Sequence, residues 1–201
     1  MLNHTPLKWH YAHVDAAEDR ELAKRAAAGD RAASLRFFQT YHVSVFRYTS
    51  SLVASPEDAE DLAAEAIVEA HTMLGSYRAG SSLRTWVHRI AFHTYTHWKR
   101  RQRRHVRLDD DVCDAHSPFA AVDEAEALTR AIARLPETLS QPFVLSQINE
   151  LSMEEVGFIL GIPPGTVKSR LHYARAQLRE LLDPPMELTN VQQPIDSRRT
   201  H

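Results

Sequence analysis

Residues 152–182 read SMEEVGFILGIPPGTVKSRLHYARAQLRELL, and this stretch decides the fold. Ser152 followed three residues later by Glu155 is a capping box: the serine oxygen can accept from the third helical amide while the glutamate reaches back to the serine N–H. A helix opening there ends at Gly161, and Ile162-Pro163-Pro164-Gly165 makes a tight turn. A second helix follows from about Thr166 to Leu182, with Val167, Leu171, Ala174, Leu178 and Leu182 as its apolar stripe. Two helices, a tight turn and a basic second helix have the form of a helix-turn-helix. The polar side of that second helix presents Lys168, Ser169, His172, Tyr173 and Arg175. Arginine can read guanine through paired hydrogen bonds, and Ser, Lys and a helix N-terminus can hold phosphates. Charge and turn alone leave two readings open: a DNA-reading helix, or an ordinary packed pair with a solvated basic face.

Working upstream, apolar spacing stays helical and strand signals are nearly lacking. One helix is expected near Ala121–Ala133 and a short one near Thr138–Gln147, after Pro136. Pro142 lies inside the second, so that helix should begin late or be kinked. Before His105 the pattern predicts four more helices. The first runs from about Ala16 to Ala28 and ends at Gly29, a residue suited to the left-handed position. Asp30 caps the next, whose Leu35, Phe38, Val45, Phe46 and Leu52 read as one stripe. Ser55-Pro56 opens the third, which should bury Leu62, Ala66, Ile67, Ala70, Met73 and Leu74. A loop, Gly75 to Ser82, precedes a long helix from about Leu83 to Arg104, with Leu83, Trp86, Val87, Ile90, Ala91 and Thr94 inward. His105–Pro118 carries a DDD run, a proline and no periodicity, and reads as a linker. The expected class is all-α: two small helical domains joined by a flexible linker, the second a helix-turn-helix domain. The expected boundaries are an extension over 1–18, domains over 19–104 and 121–182, a linker over 105–120 and a disordered polar tail over 183–201.

The net charge of −2 conceals a segregation. Between Tyr48 and Tyr77 there is no Lys or Arg, and Glu57, Asp58, Glu60, Asp61, Glu65 and Glu69 are acidic; between Gly75 and Arg107 there is no Asp or Glu, and nine Lys or Arg residues stand there. Acid in the first turn also favours a helix N-terminus, so part of this charge is simple helix chemistry. One acidic and one basic face can meet two different partners, a cationic protein surface and nucleic acid. Basic residues interleave with Trp86, Phe92, Tyr95 and Trp98; rings on a cationic surface suit unpaired bases, although the tryptophans also suit a core.

Several classes are disfavoured. No apolar run has the ~18 residues of a membrane span, and the N-terminal segment has no secretory pattern, so a cytoplasmic protein without membrane insertion is expected. Cys113 is the single cysteine and reads as a linker thiol, with no disulfide and no cysteine zinc cluster. His4, His10 and His13 lie close together, and His93 and His97 have helical spacing, but His93-Thr94-Tyr95-Thr96-His97 lacks the glutamate of a zincin helix. No catalytic residue, metal site or cofactor is expected.

DAEDLAAEAIVEAHTML (58–74) followed by GSYRAGSSLRTWVHRIAFHTYTHWKRRQRR (75–104) resembles region 2 of extracytoplasmic-function (ECF) sigma factors of the sigma-70 family. AIARLPETLSQPFVLSQINELSMEEVGFILGIPPGTVKSRLHYARAQLREL (131–181) resembles their region 4. The resemblance extends over about Asp19 to Leu182, with LRTWVHRIA and GIPPGTVKSRLHYAR its specific words, and regions 1.1 and 3 have no counterpart. It implies a non-enzymatic factor that binds core RNA polymerase, through the beta-prime clamp helices and the beta flap, and promoter DNA, and that is restrained by an anti-sigma factor. Contacts to core polymerase would fall on Asp58, Asp61, Glu65 and Glu69. Recognition and melting of the −10 element would fall on Arg78, Arg84, Trp86, Arg89, His93, Lys99, Arg100 and Arg101. Reading of the −35 duplex would fall on Thr166, Lys168, Ser169, Arg170, His172, Tyr173 and Arg175. The 17 residues from His105 to Ala121 reach about 56–61 Å when extended. That matches promoter elements about 17 base pairs, or about 58 Å, apart.

Some positions depart from the family pattern. His93 and His97 stand where Asn and Asp are usual, which bears on −10 base preference and on pH response. Ser140 replaces a usual Arg, and Pro164 a usual Val. The competing functions are a helix-turn-helix regulator that does not act with polymerase, a polymerase-binding protein that has lost promoter melting, and, more remotely, a metal enzyme.

Overall fold

In a computed structural model, residues 16–106 and 124–182 are described. They form eight α-helices: α1 (Ala16–Ala27), α2 (Arg31–Ser50), α3 (Pro56–Thr72), α4 (Leu83–Val106), α5 (Glu124–Arg134), α6 (Glu137–Phe143), α7 (Met153–Leu160) and α8 (Pro164–Leu182). There is no strand among the described residues. The linker beyond Val106 and both chain ends, with Cys113 and the N-terminal histidines, lie outside them, and α4 runs two residues past its expected end at Arg104.

Local chemistry sets the helix boundaries. Gly29 adopts φ +86° after α1. The Asp30 carboxylate then accepts from Ala32 and Ala33 N–H at the start of α2. Ser55 accepts from Asp58 N–H beside Pro56 in the first turn of α3. The start of α4 is held twice: Ser82 Oγ accepts from Thr85 N–H at 3.1 Å, and Asp19 Oδ2 of α1 accepts from Leu83 N–H at 2.8 Å. Asp19 is buried, and burial raises its pKa despite that bond and a second from the Tyr41 hydroxyl. The Ser152–Glu155 capping box is formed in both directions, and Gly161 ends α7 in the left-handed conformation.

α1 to α4 pack as one unit, α2 on α3 and α3 on α4, with α1 against α2. α5, α6 and α7 surround α8 in a second unit. Leu62, Ala66, Ile67, Ala70 and Leu74 are buried as expected, whereas Met73 is largely exposed. In α8 the stripe Val167, Leu171, Ala174 and Leu178 is buried and Leu182 is exposed. α2 corrects the reading more substantially. Leu35 and Phe46 face outward, and the buried face is Ala33, Phe37, Tyr41, Ser44, Val45 and Tyr48. The inward tyrosines have buried partners for their hydroxyls: Tyr41 donates to Asp19 Oδ1 and Tyr48 to Gln141 Oε1. Satisfied polar handles let tyrosine outcompete leucine for this face.

α6 is a second correction. It does not begin late: Pro136 precedes its first residue and Pro142 lies within it. Proline cannot donate to the carbonyl four residues back and crowds it. The chain then leaves α geometry, and Val144–Ile148 forms a π turn closed by Asn149 N–H on Val144 O at 3.0 Å.

Gly157 in α7 is required by close approach. A Cβ there would meet the Ile162 carbonyl oxygen at 2.7 Å, a backbone atom of the helix-turn-helix turn. Alanine normally stabilises a helix interior over glycine by about 1 kcal/mol. Here Gly157→Ala is expected to destabilise by about 1–3 kcal/mol instead, measured as a lowered urea midpoint. A raised midpoint would show that the turn yields freely.

Candidate polymerase and nucleic-acid interfaces

The polar face of α8 is built by its apolar stripe. With Val167, Leu171, Ala174 and Leu178 inward, Lys168, Ser169, His172, Tyr173 and Arg175 are exposed, and Thr166 and Arg170 are half-buried at its margins. Ser169 Oγ donates to the Thr166 carbonyl at 3.0 Å, and the His172 and Tyr173 rings meet edge-on, 5.7 Å between centroids. Tyr173, 61% exposed, is the most exposed large apolar or aromatic residue among the described residues. Every residue expected to read duplex DNA thus shares one helix, with its side chains on or bordering the solvent face.

α3 presents its acids on the side opposite Leu62, Ala66 and Ile67. Asp61, Glu65 and Glu69 are exposed and Asp58 is half-buried. Two of them are engaged with α4: Glu65 pairs with Arg101 at 3.5 Å, and Glu69 Oε2 accepts from Thr94 Oγ1 at 3.0 Å. The acidic and basic helices therefore adjoin along α3 and α4.

The residues expected at the −10 element divide into two groups. Arg78, His93, Arg100 and Arg101 are exposed. Arg78 donates to the Gly75 carbonyl at 2.9 Å, which shapes the loop before α4. Trp86 is half-buried against Tyr77, ring centroids 5.6 Å apart. Burial first, and then the charges of Arg89 and His97, lower the pKa of His93 below its ordinary value of 6.5. The remaining three reach the second unit. Arg84 donates to the Asn149 backbone carbonyl. Arg89 lies over the Phe158 ring, 4.8 Å from its centroid. Lys99 is 3.7 Å from Glu137, which Arg103 also approaches at 3.1 Å.

Between these contacts lies a buried polar network absent from the sequence expectations. Asn149 Nδ2 donates to the Ser44 carbonyl at 2.8 Å and contacts His88 Nε2 at 3.1 Å. His88 Nδ1 faces the Arg84 carbonyl at 2.9 Å. A carbonyl can only accept, so Nδ1 carries the proton and Nε2 accepts from the Asn149 amide. At the edge, Glu155 Oε1 accepts from Thr85 Oγ1 at 2.5 Å. Burial opposes ionisation of Glu155, but hydrogen bonds from Thr85 and Ser152 outweigh it and hold its pKa below the ordinary value.

His88 gives this packing a pH signature. Burial pushes its pKa down to about 4; the bond to the Arg84 backbone opposes this next, the charge of Arg84 adds to the lowering, and the Ser44 backbone and Glu155 oppose it more weakly. The lowered value means that His88 contributes its full stability above pH 6.5 and loses it progressively between 6.5 and 4. From pH 7 to pH 5 the loss is about 2 kcal/mol. A His88→Gln variant is expected to lose that part of the pH dependence in urea unfolding. An unchanged slope would show that His88 is not held neutral.

Comparison with known proteins places both helical units in a family. Residues 37–105 match the family model for sigma-70 region 2, and residues 125–178 match that for sigma-70 region 4. Over 165 residues the chain is 33% identical to the ECF RNA polymerase sigma factor SigM of Mycobacterium tuberculosis, covering 82% of this chain and 84% of SigM. The chain belongs to the ECF family of RNA polymerase sigma factors. The ECF sigma-E factor of Escherichia coli is 30% identical over 182 residues, covering 83% of this chain and 95% of that protein. The sigma factor RpoE of Bartonella quintana, solved with NepR, has a similar fold, with a TM-score of 0.62, 25% identity and coverage of 72% of this chain and 93% of RpoE. CnrH, solved with the cytosolic domain of CnrY, has a TM-score of 0.64 at 24% identity, over 84% of this chain and 98% of CnrH. As an ECF sigma factor, the chain is a promoter-recognition factor of RNA polymerase and not an enzyme. The acidic α3 and the basic α4 fall in its region 2, and the helix-turn-helix falls in its region 4.

Proposed function

We propose that this sigma factor divides its work between the two helical units. The first, taken as residues 19–104, docks on core polymerase through Asp58, Asp61, Glu65 and Glu69 and engages the −10 element through α4 and its preceding loop. The second, taken as 121–182, reads the −35 duplex through the solvent face of α8. The observation that carries this reading is the adjacency of an acidic helix and a basic, ring-bearing helix in one unit, beside a separate helix-turn-helix. A repressor needs only the last of these. Melting costs a few kcal/mol for each extruded base, more than a single basic helix supplies, so polymerase contacts must contribute the rest.

Like RpoE, solved in complex with the anti-sigma factor NepR, this protein is taken to be held by an anti-sigma factor. Its place is the cytoplasm with the polymerase; among the described residues no helix is long and apolar enough to cross a membrane. Alone, the protein is expected to bind duplex DNA weakly, with affinity falling steeply as salt rises, because phosphate contacts dominate. Added core polymerase is expected to make binding promoter-selective. Anisotropy titrations over a salt series, with and without core, check this; promoter selectivity that is the same without core would favour a regulator acting alone.

A further inference from the structure

We infer that the two units close on each other in an autoinhibited state, latched by insertion of Asn149 into a socket between α2 and α4. This rests on the proposed assignment of the −10 and −35 surfaces. Asn149, Ser44 and His88 are each 1% exposed or less. Both amide hydrogens of Asn149 are used, one on the Ser44 carbonyl and one on His88 Nε2. Turning the amide over would set its oxygen against the Ser44 carbonyl, so the plug fits in one orientation. Gln141 on Tyr48 and Glu155 on Thr85 add two more polar contacts across the same seam. These donors meet acceptors across the seam, and only the Asn149 side-chain oxygen among the groups named here is buried without a hydrogen bond; chance contact between tethered units leaves such groups wet.

The closed arrangement is incompatible with promoter binding for two independent reasons. First, Arg84, Arg89 and Lys99, three of the proposed −10 residues, are engaged by Asn149, Phe158 and Glu137 of the second unit. Second, α7 packs directly on both α4 and α8. Packed helices lie about 8–10 Å apart, so at this seam α8 stands within about 20 Å of α4. Elements about 17 base pairs apart require about 58 Å. One chain cannot span both until Asn149 leaves its socket, and the connecting segment is long enough to permit that.

Two full-length variants test the latch. Asn149→Ala leaves the Ser44 carbonyl and His88 Nε2 buried without a donor, which shifts the balance toward the open form by about ten-fold or more. X-ray scattering is expected to show a larger radius of gyration, with helix content retained; an unchanged radius would overturn the latch. The second variant carries Cys113→Ser, Arg103→Cys and Glu137→Cys, replacing the exposed ion pair, and is joined by a short bis-maleimide. With core polymerase, the uncrosslinked form is expected to transcribe from a promoter, and the crosslinked form at least about ten-fold less. Equal activity of the two forms overturns the inference. If the unmodified protein itself gives no promoter-specific transcript, the sigma assignment fails instead, and the scattering comparison still decides whether Asn149 holds the units together.

Discussion

Alanine at both Lys168 and Arg175 lowers transcription from a cognate promoter by about 30-fold or more. The estimate comes from two lost contacts to base edge or phosphate, each worth about 1–3 kcal/mol. Both side chains are exposed on α8, outside the Val167–Leu171–Ala174–Leu178 stripe. Alanine has the highest helix propensity, so fold stability should change by less than about 0.5 kcal/mol. The two substitutions also differ in kind. If Lys168 holds phosphate, its loss weakens all sequences alike and flattens the salt dependence; if Arg175 reads a base, its loss relaxes preference at one position. Run-off transcription on a set of −35 variants separates these outcomes. Full activity of the double variant would move the −35 surface away from α8.

Asp61→Lys weakens binding to core polymerase by about ten-fold or more. Asp61 is exposed in the second turn of α3, and reversing its charge converts an attraction to a cationic surface into a repulsion, which costs several kcal/mol when the charges meet directly. Glu65→Lys is less clean, because it also replaces the 3.5 Å pairing with Arg101 by a repulsion inside the protein. The comparison is informative: both variants should lose core affinity, but only Glu65→Lys should also loosen α4 against α3. Competition titrations on core polymerase, beside urea melts of the free protein, measure the two effects. Core affinity within two-fold of the parent for Asp61→Lys would remove this helix from the docking surface.

The features legible in the sequence are those decided within a few residues. Asp30, Ser55-Pro56 and the Ser152–Glu155 pair each cap a helix through partners two or three positions away, Gly29 holds the left-handed conformation assigned to it, and Gly161 ends its helix where expected. The solvent face of α8 follows from its stripe for the same reason. The inward face of α2 was not legible, because Tyr41 and Tyr48 are drawn in by Asp19 and Gln141, 22 and 93 residues away in the chain. Asn149 was invisible for a stronger version of that reason. Its partners Ser44 and His88 are 105 and 61 residues distant, and a single asparagine before a capping serine reads locally as a loop residue. The one available signal was His88 itself, a polar side chain next to Val87 in a helix whose inward positions are otherwise apolar or small. Pro142 implies a helix that begins late or is kinked; the late start is not seen, and the helix opens into a π turn beyond the proline.

The central claim is that this chain confers promoter recognition on polymerase. Transcription of fragmented host DNA by core polymerase, with and without the protein, tests it most directly. Discrete new transcripts that require both components, sharing upstream elements about 17 base pairs apart, are the predicted result. A protein that neither binds core nor changes the transcripts would contradict the account.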